Sequence, residues 1–295
     1  MKIPHEVIDV SKKFEKLVIE DFLSGYNSGI TPSPCVICDE KIKISSLIEY
    51  ADLVGAEYIA TGHYCDLEYS HELGKKMLKN AEDTKKDQTY MLYRLSEETL
   101  KRIKFPLYKH TKEEVRKIAE DLGLEVHKKK DSQGICFAPM GYKDYLKEKL
   151  GEKIKTGKFV DKNGNILGTH EGYQLYTVGQ RRGLNLKLPK PYFIIKINSE
   201  KNQIVLGDYP ELFQKEVELI DYKFVVNPEK LLGLELVARP RFSSKGLSGK
   251  IKISSEKKEE KRIFFEYNEE TPQNAKGQHI VIYYGDFLVG GGIIK

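Results

Sequence analysis

Three of the four cysteines in this 295-residue chain fall in two polar, turn-rich segments. Cys35 and Cys38 form a CxxC pair in Thr31-Pro32-Ser33-Pro34-Cys35-Val36-Ile37-Cys38-Asp39, and Cys136 closes Asp131-Ser132-Gln133-Gly134-Ile135-Cys136-Phe137. Two intervening residues let both sulfurs of such a pair face one point, so it can chelate a metal, form a redox disulfide or hold two corners of an iron–sulfur cluster. A structural zinc wants a fourth ligand, yet there is no second CxxC and Cys65 stands apart after Gly62-His63-Tyr64, which makes zinc the weaker reading. Three thiolates suit either a cluster with one open iron or a thiol pair that carries and resolves sulfur. Around Cys136, Asp131 tends to raise a thiol pKa, whereas Lys128, Lys129 and Lys130 lower it and outnumber the acid.

The elements that must position these thiols are legible from periodicity. Val7 to Val10 reads as the end of a strand, followed by an amphipathic helix with Phe14, Leu17, Val18, Phe22 and Leu23 on one face. After the CxxC turn, a helix from Ile42 to Leu53 turns Ile44, Leu47, Ile48 and Ala51 inward and stops at Gly55. Tyr58 to His63 reads as a short buried strand ending in a polar loop, the punctuation that puts ligand groups at the carboxyl edge of a parallel sheet. Thr111 with Glu114 forms a capping box for a helix from Lys112 to Leu122, closed by Gly123. From Lys158 onward short β-branched and aromatic runs separated by turns replace helices, and Lys257 to Lys261 reads as a solvated hairpin tip.

A composition of 40% hydrophobic and 32% charged residues describes a folded globular protein. Apolar runs such as Ile280 to Tyr284 are far shorter than the roughly 20 residues that span a bilayer, and the first residues lack a signal-peptide core, so the expectation is a cytoplasmic protein with no membrane partner. The net charge of +5 is a modest bias toward polyanions.

Six ordered motifs together resemble the MnmA-type tRNA 2-thiouridylases over nearly the whole chain. They are Thr31 to Pro34 leading to Cys38, Ala60-Thr61-Gly62-His63-Tyr64, Lys86-Asp87-Gln88-Thr89-Tyr90, Asp131 to Phe137, Tyr176-Thr177-Val178-Gly179-Gln180-Arg181-Arg182-Gly183-Leu184, and Gly290-Gly291-Gly292-Ile293. The resemblance implies ATP-dependent transfer of sulfur to C2 of the wobble uridine of tRNA, with Cys38 as a catalytic thiol and Cys136 as the persulfide carrier. It implies a sulfur donor such as a cysteine desulfurase or a relay protein as partner. Cys35 falls where many members carry Asp and others Cys, and the three-thiol form is that expected of a [4Fe–4S]-dependent version ligated by Cys35, Cys38 and Cys136. Gly62 and His63 would contact the adenylate. Asp87 and Gln88 would face the target base, Lys128 to Lys130 the anticodon, and Gln180, Arg181 and Arg182 the tRNA backbone and bases. Taken alone, His63 is as readily a hydrogen-bonded structural residue and Asp87-Gln88 an exposed turn.

The implied fold is an α/β, partial adenine-nucleotide-hydrolase-like domain (1–142, with a helical insertion near 100–123 packing on the next domain), a small central α+β domain (143–213) and a C-terminal β-barrel (214–295). Arg239, Arg241 and Lys245 of that barrel would grip the tRNA body. One feature departs from the family. The Ser-Gly-Gly-x-Asp-Ser loop whose amides hold the pyrophosphate of ATP does not occur in the 295 residues, so ATP use by this chain is in question. The rival expectation is a noncatalytic tRNA-binding or sulfur-carrier protein derived from the enzyme.

Overall fold

The computed structural model describes residues 3–129, 134–255 and 261–295. Lys130, Asp131 and most of the Lys257 to Lys261 run therefore lie outside the described residues. Residues 3–10 form no strand. Instead Asp9 accepts hydrogen bonds from the backbone and hydroxyl of Ser11 (2.8 and 2.5 Å) and starts a helix there. That helix runs through Ser11–Phe14, a wider π-turn at Glu15–Ile19, and Glu20–Asn27.

The CxxC pair lies in a helix rather than the expected turn. Pro34 supplies a first residue whose missing N–H costs nothing, and helix Pro34–Cys38 continues through a π-turn, Asp39–Ile44, into Ser45–Val54. Gly55, with φ +73°, closes it in the left-handed conformation expected at a helix end. The strand expected from Tyr58 to His63 contracts to Ile59–Ala60, parallel to Ile103–Lys104. The capping box of Thr111 and Glu114 opens Lys112–Asp121 as anticipated. No side chain of this helix is buried, and its first N–H is held by Asp83 (3.1 Å).

In the central region a four-stranded sheet, in the order Ile166–His170, Gly157–Val160, Gln203–Gly207, Phe193–Asn198, packs with helix Tyr142–Leu150. Phe22 and Tyr26 of the N-terminal helix enter the same core, so that helix belongs to both regions. Beyond it, Phe213–Phe224, Leu236–Arg239, Leu247–Ser255, Lys261–Pro272, His279–Tyr284 and Phe287–Ile294 close into a barrel through pairing of the last two strands. A hairpin that sequence periodicity did not single out, Asp66–Ser70 with Lys75–Lys79, attaches to the barrel where Phe287 faces Lys79.

One core unites the thiol-bearing helix (Val36, Ile44, Ala51), the hairpin (Leu78) and the barrel (Val281, Tyr283, Leu288). The glycine triplet near the C-terminus serves this junction. A Cβ on Gly291 would sit 2.5 Å from the Ile280 carbonyl and 3.0 Å from the Tyr93 ring, distances that only glycine avoids. No helix among the described residues is long and apolar enough to cross a membrane.

Two histidines are sealed in this framework. His170 has no well-formed hydrogen bond, only the Asn202 carbonyl nearby, and lies edge-on to Phe159 and Tyr176 at 5.2 and 5.7 Å. Burial depresses it to about 4, and burial with the Arg94 charge does the same to His279. Both have folded pKa values below the ordinary 6.5, so between these limits the unfolded chain binds protons that the folded one refuses. Stability should therefore fall as pH drops from about 6.5 to about 4, above the range where carboxylates such as Glu218, held near 2, take over. The expected result is a urea midpoint lower at pH 5 than at pH 7.5, with His170→Leu narrowing the gap; a midpoint unchanged across that range would contradict the assignment.

Candidate active site: three thiols on and beside one helix

Cys35 is half-buried and Cys38 buried on the helix Pro34–Cys38, while Cys136 is exposed in a turn that follows Gly134. All four cysteines are free thiols, so the structure contains no disulfide between Cys38 and Cys136. Cys136 nonetheless lies within electrostatic reach of the helix thiols and adds to the rise in pKa of both Cys35 and Cys38. Burial is the main cause for each. It pushes Cys38 up to about 11, with Asp39, Cys136 and Cys35 adding to the rise and Lys43 opposing it.

Lys43 is a residue that the sequence reading missed. It pairs with the buried Asp39 at 2.7 Å, four residues earlier on the same helix. The signal was present as an Asp-x-x-x-Lys spacing directly after Cys38, but the π-turn that aims both side chains toward the sulfurs is a tertiary feature. Burial alone would raise the Asp39 carboxyl; His63 and Lys43 hold it below the ordinary carboxylate range. His63 contacts Asp39 through Nε2 at 3.4 Å and Thr61 Oγ1 through Nδ1 at 3.0 Å, which ties the strand end to the thiol helix. Gly62 beside it is exposed, and a Cβ there would meet only Leu107 at 3.7 Å, so its backbone is open to a ligand.

The Lys86-Asp87-Gln88 segment is not an exposed turn. Asp87 is 4% exposed; its carboxylate accepts from the Ala81 N–H (3.2 Å), the Thr89 hydroxyl (2.7 Å) and Arg239 Nη1 (3.0 Å). Tyr283 of the barrel meets the same hydroxyl at 3.1 Å. Gln88 exchanges two hydrogen bonds with the Tyr64 backbone, through Oε1 at 3.0 Å and its own N–H at 2.8 Å. As placed, Asp87 joins the first region to the barrel and is turned away from solvent, and Arg239 is committed to it.

Gln180 is also engaged internally. Its Oε1 accepts from the Thr177 N–H at 3.2 Å and its Nε2 donates to the Arg182 carbonyl at 2.8 Å, shaping a loop from which Arg181 and Arg182 project exposed. Lys128 and Lys129 are exposed at the end of the turn Glu125–Lys128. Cys65 is fully buried in the core and burial pushes its thiol far up, the signature of an inert packing residue.

The iron–sulfur expectation fares differently. Among the described residues no three His, Cys, Asp or Glu side chains stand together in a way that could hold a metal ion. Cys35, Cys38 and Cys136 as placed are not such a group, so the expected [4Fe–4S] ligation finds no support in this arrangement. The arrangement suits thiol chemistry: an exposed sulfur that an external donor can reach, next to a buried one shielded from it.

Comparison with known proteins gives three consecutive matches. Residues 1–140 match the family described as tRNA methyl transferase HUP domain, 143–208 the tRNA methyl transferase PRC-barrel domain, and 214–294 the aminomethyltransferase beta-barrel domain. They cover the α/β, central and barrel regions described above. The tRNA-specific 2-thiouridylase MnmA 2 of Fusobacterium nucleatum is 57% identical over 293 residues, covering 99% of this chain and 84% of that protein. MnmA 2 of Clostridium botulinum strain Hall is 42% identical over 298 aligned positions, covering 100% and 82%. MnmA of Carboxydothermus hydrogenoformans is 40% identical over 294, covering 99% and 80%.

The interior placement of Asp87 makes a quantitative demand. Replacing it by Ala leaves Arg239 and the Ala81 N–H without this acceptor and takes from Thr89 its shortest one, and breaking one side of a buried pair costs about 3 kcal/mol or more. Chemical denaturation of Asp87→Ala should show that loss; a change below about 0.5 kcal/mol would instead return Asp87 to the class of surface residues.

Proposed function

Because the chain belongs to the tRNA-specific 2-thiouridylase family, we propose that its thiols deliver sulfur to C2 of the wobble uridine of tRNA in an ATP-dependent reaction. The observation that carries this reading is the exposed Cys136, whose neighbour Phe137 packs with the buried Cys38, beside the loop after a parallel strand that brings Gly62 and His63 to the thiol helix. The C2 carbonyl is a poor electrophile. In the proposed sequence its oxygen attacks the α-phosphorus of ATP and expels pyrophosphate, and the resulting adenylate makes AMP the leaving group. Cys136 arrives carrying a persulfide loaded by a sulfur donor. The Cys38 thiolate attacks the inner sulfur of that persulfide, forming the Cys38–Cys136 disulfide and releasing hydrosulfide, which adds to C2 and displaces AMP. An external dithiol returns the disulfide to two thiols with two electrons and two protons.

The protein's own part in this scheme is positioning and ionisation. Burial pushes Cys38 up to about 11, and Lys43 is the cation beside it that opposes the rise and favours the thiolate. His63 fixes Asp39, so Asp39 and Lys43 stay paired at the edge of the thiol site. Gly62 offers backbone to the adenylate. Exposed Arg181, Arg182, Lys128 and Lys129 supply charge for phosphate contact, as does Arg241, whereas Asp87 and Gln88 support the site from within. The setting for this chemistry is the cytoplasm, where thiols stay reduced.

ATP-dependent formation of 2-thiouridine by the purified protein tests this reading, with Cys38→Ser and Cys136→Ser each expected to abolish product; product formed at an undiminished rate by either variant would overturn it. For tRNA, replacing Arg181 and Arg182 by Ala should weaken affinity and flatten the log–log salt dependence by roughly one unit per lost phosphate contact. Cys136→Ala should leave affinity unchanged, and an unaltered salt slope in the double arginine variant would remove this loop from the tRNA interface.

A further inference from the structure

Cys136 is exposed and follows Gly134, whose φ of +84° marks a sharp turn, yet its sulfur is felt by both helix thiols. Something must hold it there. The next residue, Phe137, packs on the patch made by Val18, Ile37, Cys38 and Ile42. Its ring meets Phe14 edge-on at 5.7 Å (73°), Phe22 at 5.2 Å (85°) and Tyr145 at 5.2 Å (61°). These walls come from two separate elements, the N-terminal helix and the central helix Tyr142–Leu150. Two tight turns, Ala138 N–H to Ile135 O at 3.0 Å and Gly141 N–H to Ala138 O at 2.9 Å, leave little slack between the seated ring and the neighbouring thiol.

We propose that Phe137 is the positioning residue that holds Cys136 over Cys38, with the aromatic seat formed by Phe14, Phe22 and Tyr145 fixing how closely the two sulfurs approach. The inference rests on the reading of these cysteines as the sulfur-transfer pair. It adds that the approach is set by a side chain that touches neither substrate nor sulfur donor. An edge-to-face seat on three sides fixes both the depth and the rotation of the ring, and the adjoining backbone transmits that placement to Cys136. Loss of such positioning lowers the effective concentration of one thiol at the other while leaving the reactivity of the exposed thiol itself intact.

The test uses the full chain with Cys35→Ser, so that Cys38 and Cys136 are the pair available for crosslinking. Diamide accepts two electrons and two protons from the two thiols, becomes the hydrazine, and leaves one S–S bond. The rate of Cys38–Cys136 disulfide formation is followed by quenching and peptide mass mapping, and alkylation of Cys136 by iodoacetamide is measured in parallel. Phe137→Ala should slow the disulfide about tenfold, leave Cys136 alkylation within twofold, and be restored by Phe137→Tyr, which keeps the ring. A slowing of less than threefold, or one that Phe137→Tyr does not restore, overturns the proposal. Should Phe137→Ala fail to fold, Phe14→Ala removes one wall of the seat and must slow the disulfide in the same way. Neither rate requires tRNA or ATP, so a failed thiolation assay with normal crosslinking strikes the functional reading alone.

Discussion

Arg94 is a guanidinium with only 4% of its surface exposed, and the way its charge is met fixes where the thiol helix lies. Its Nε donates to Glu40, two residues beyond Cys38, at 2.6 Å; its Nη atoms reach the Asp221 carbonyl and carboxylate, each at 3.0 Å. Lys223 adds a second cation to Glu40 and donates to the Arg94 carbonyl at 3.1 Å. A buried charge is tolerated only when every partner is in place, so this arrangement is satisfied when the CxxC helix, the Arg94 turn and the first barrel strand are all assembled together. The barrel is thereby part of the machinery that places the thiols.

A second junction works through apolar contact. Phe22 and Tyr26 leave the N-terminal helix to enter the central core, where Tyr26 stacks on Tyr142 at 5.5 Å. The loop between this helix and the CxxC helix is tied on both sides: Thr31 meets Thr177 of the central region at 3.3 Å, and its backbone is gripped by Lys276 and Gln278 of the barrel at 2.8 Å each. The candidate site thus lies where the three regions meet.

Burial divides the labour among the cysteines more sharply than sequence spacing does. Cys65, in the core, is pushed far up by burial; Cys38, just under the surface, is pushed up to about 11 with Lys43 opposing the rise; Cys136 is exposed to solvent. Equivalent residue types acquire unlike roles because desolvation raises a thiol pKa in proportion to how completely water is excluded.

By itself the sequence determined the order of α/β, central and barrel regions, the capped helix at Thr111 and the β character beyond Lys158, because local periodicity, caps and turn residues act over a few positions and are written in them. The sequence could not say that the CxxC lies within a helix, that Asp87 faces inward to Arg239, or that the Asp66–Lys79 hairpin joins the barrel. Those outcomes depend on partners far away in the chain: Arg239 stands 152 residues from Asp87, and Lys223 stands 183 from Glu40. A CxxC motif reads alike in a turn or a helix, and a Lys-Asp-Gln run looks like surface until a distant guanidinium arrives to neutralise its acid. Only the tertiary structure decided which polar residues pay the cost of burial and which stay in water, since that choice depends on what packs against them.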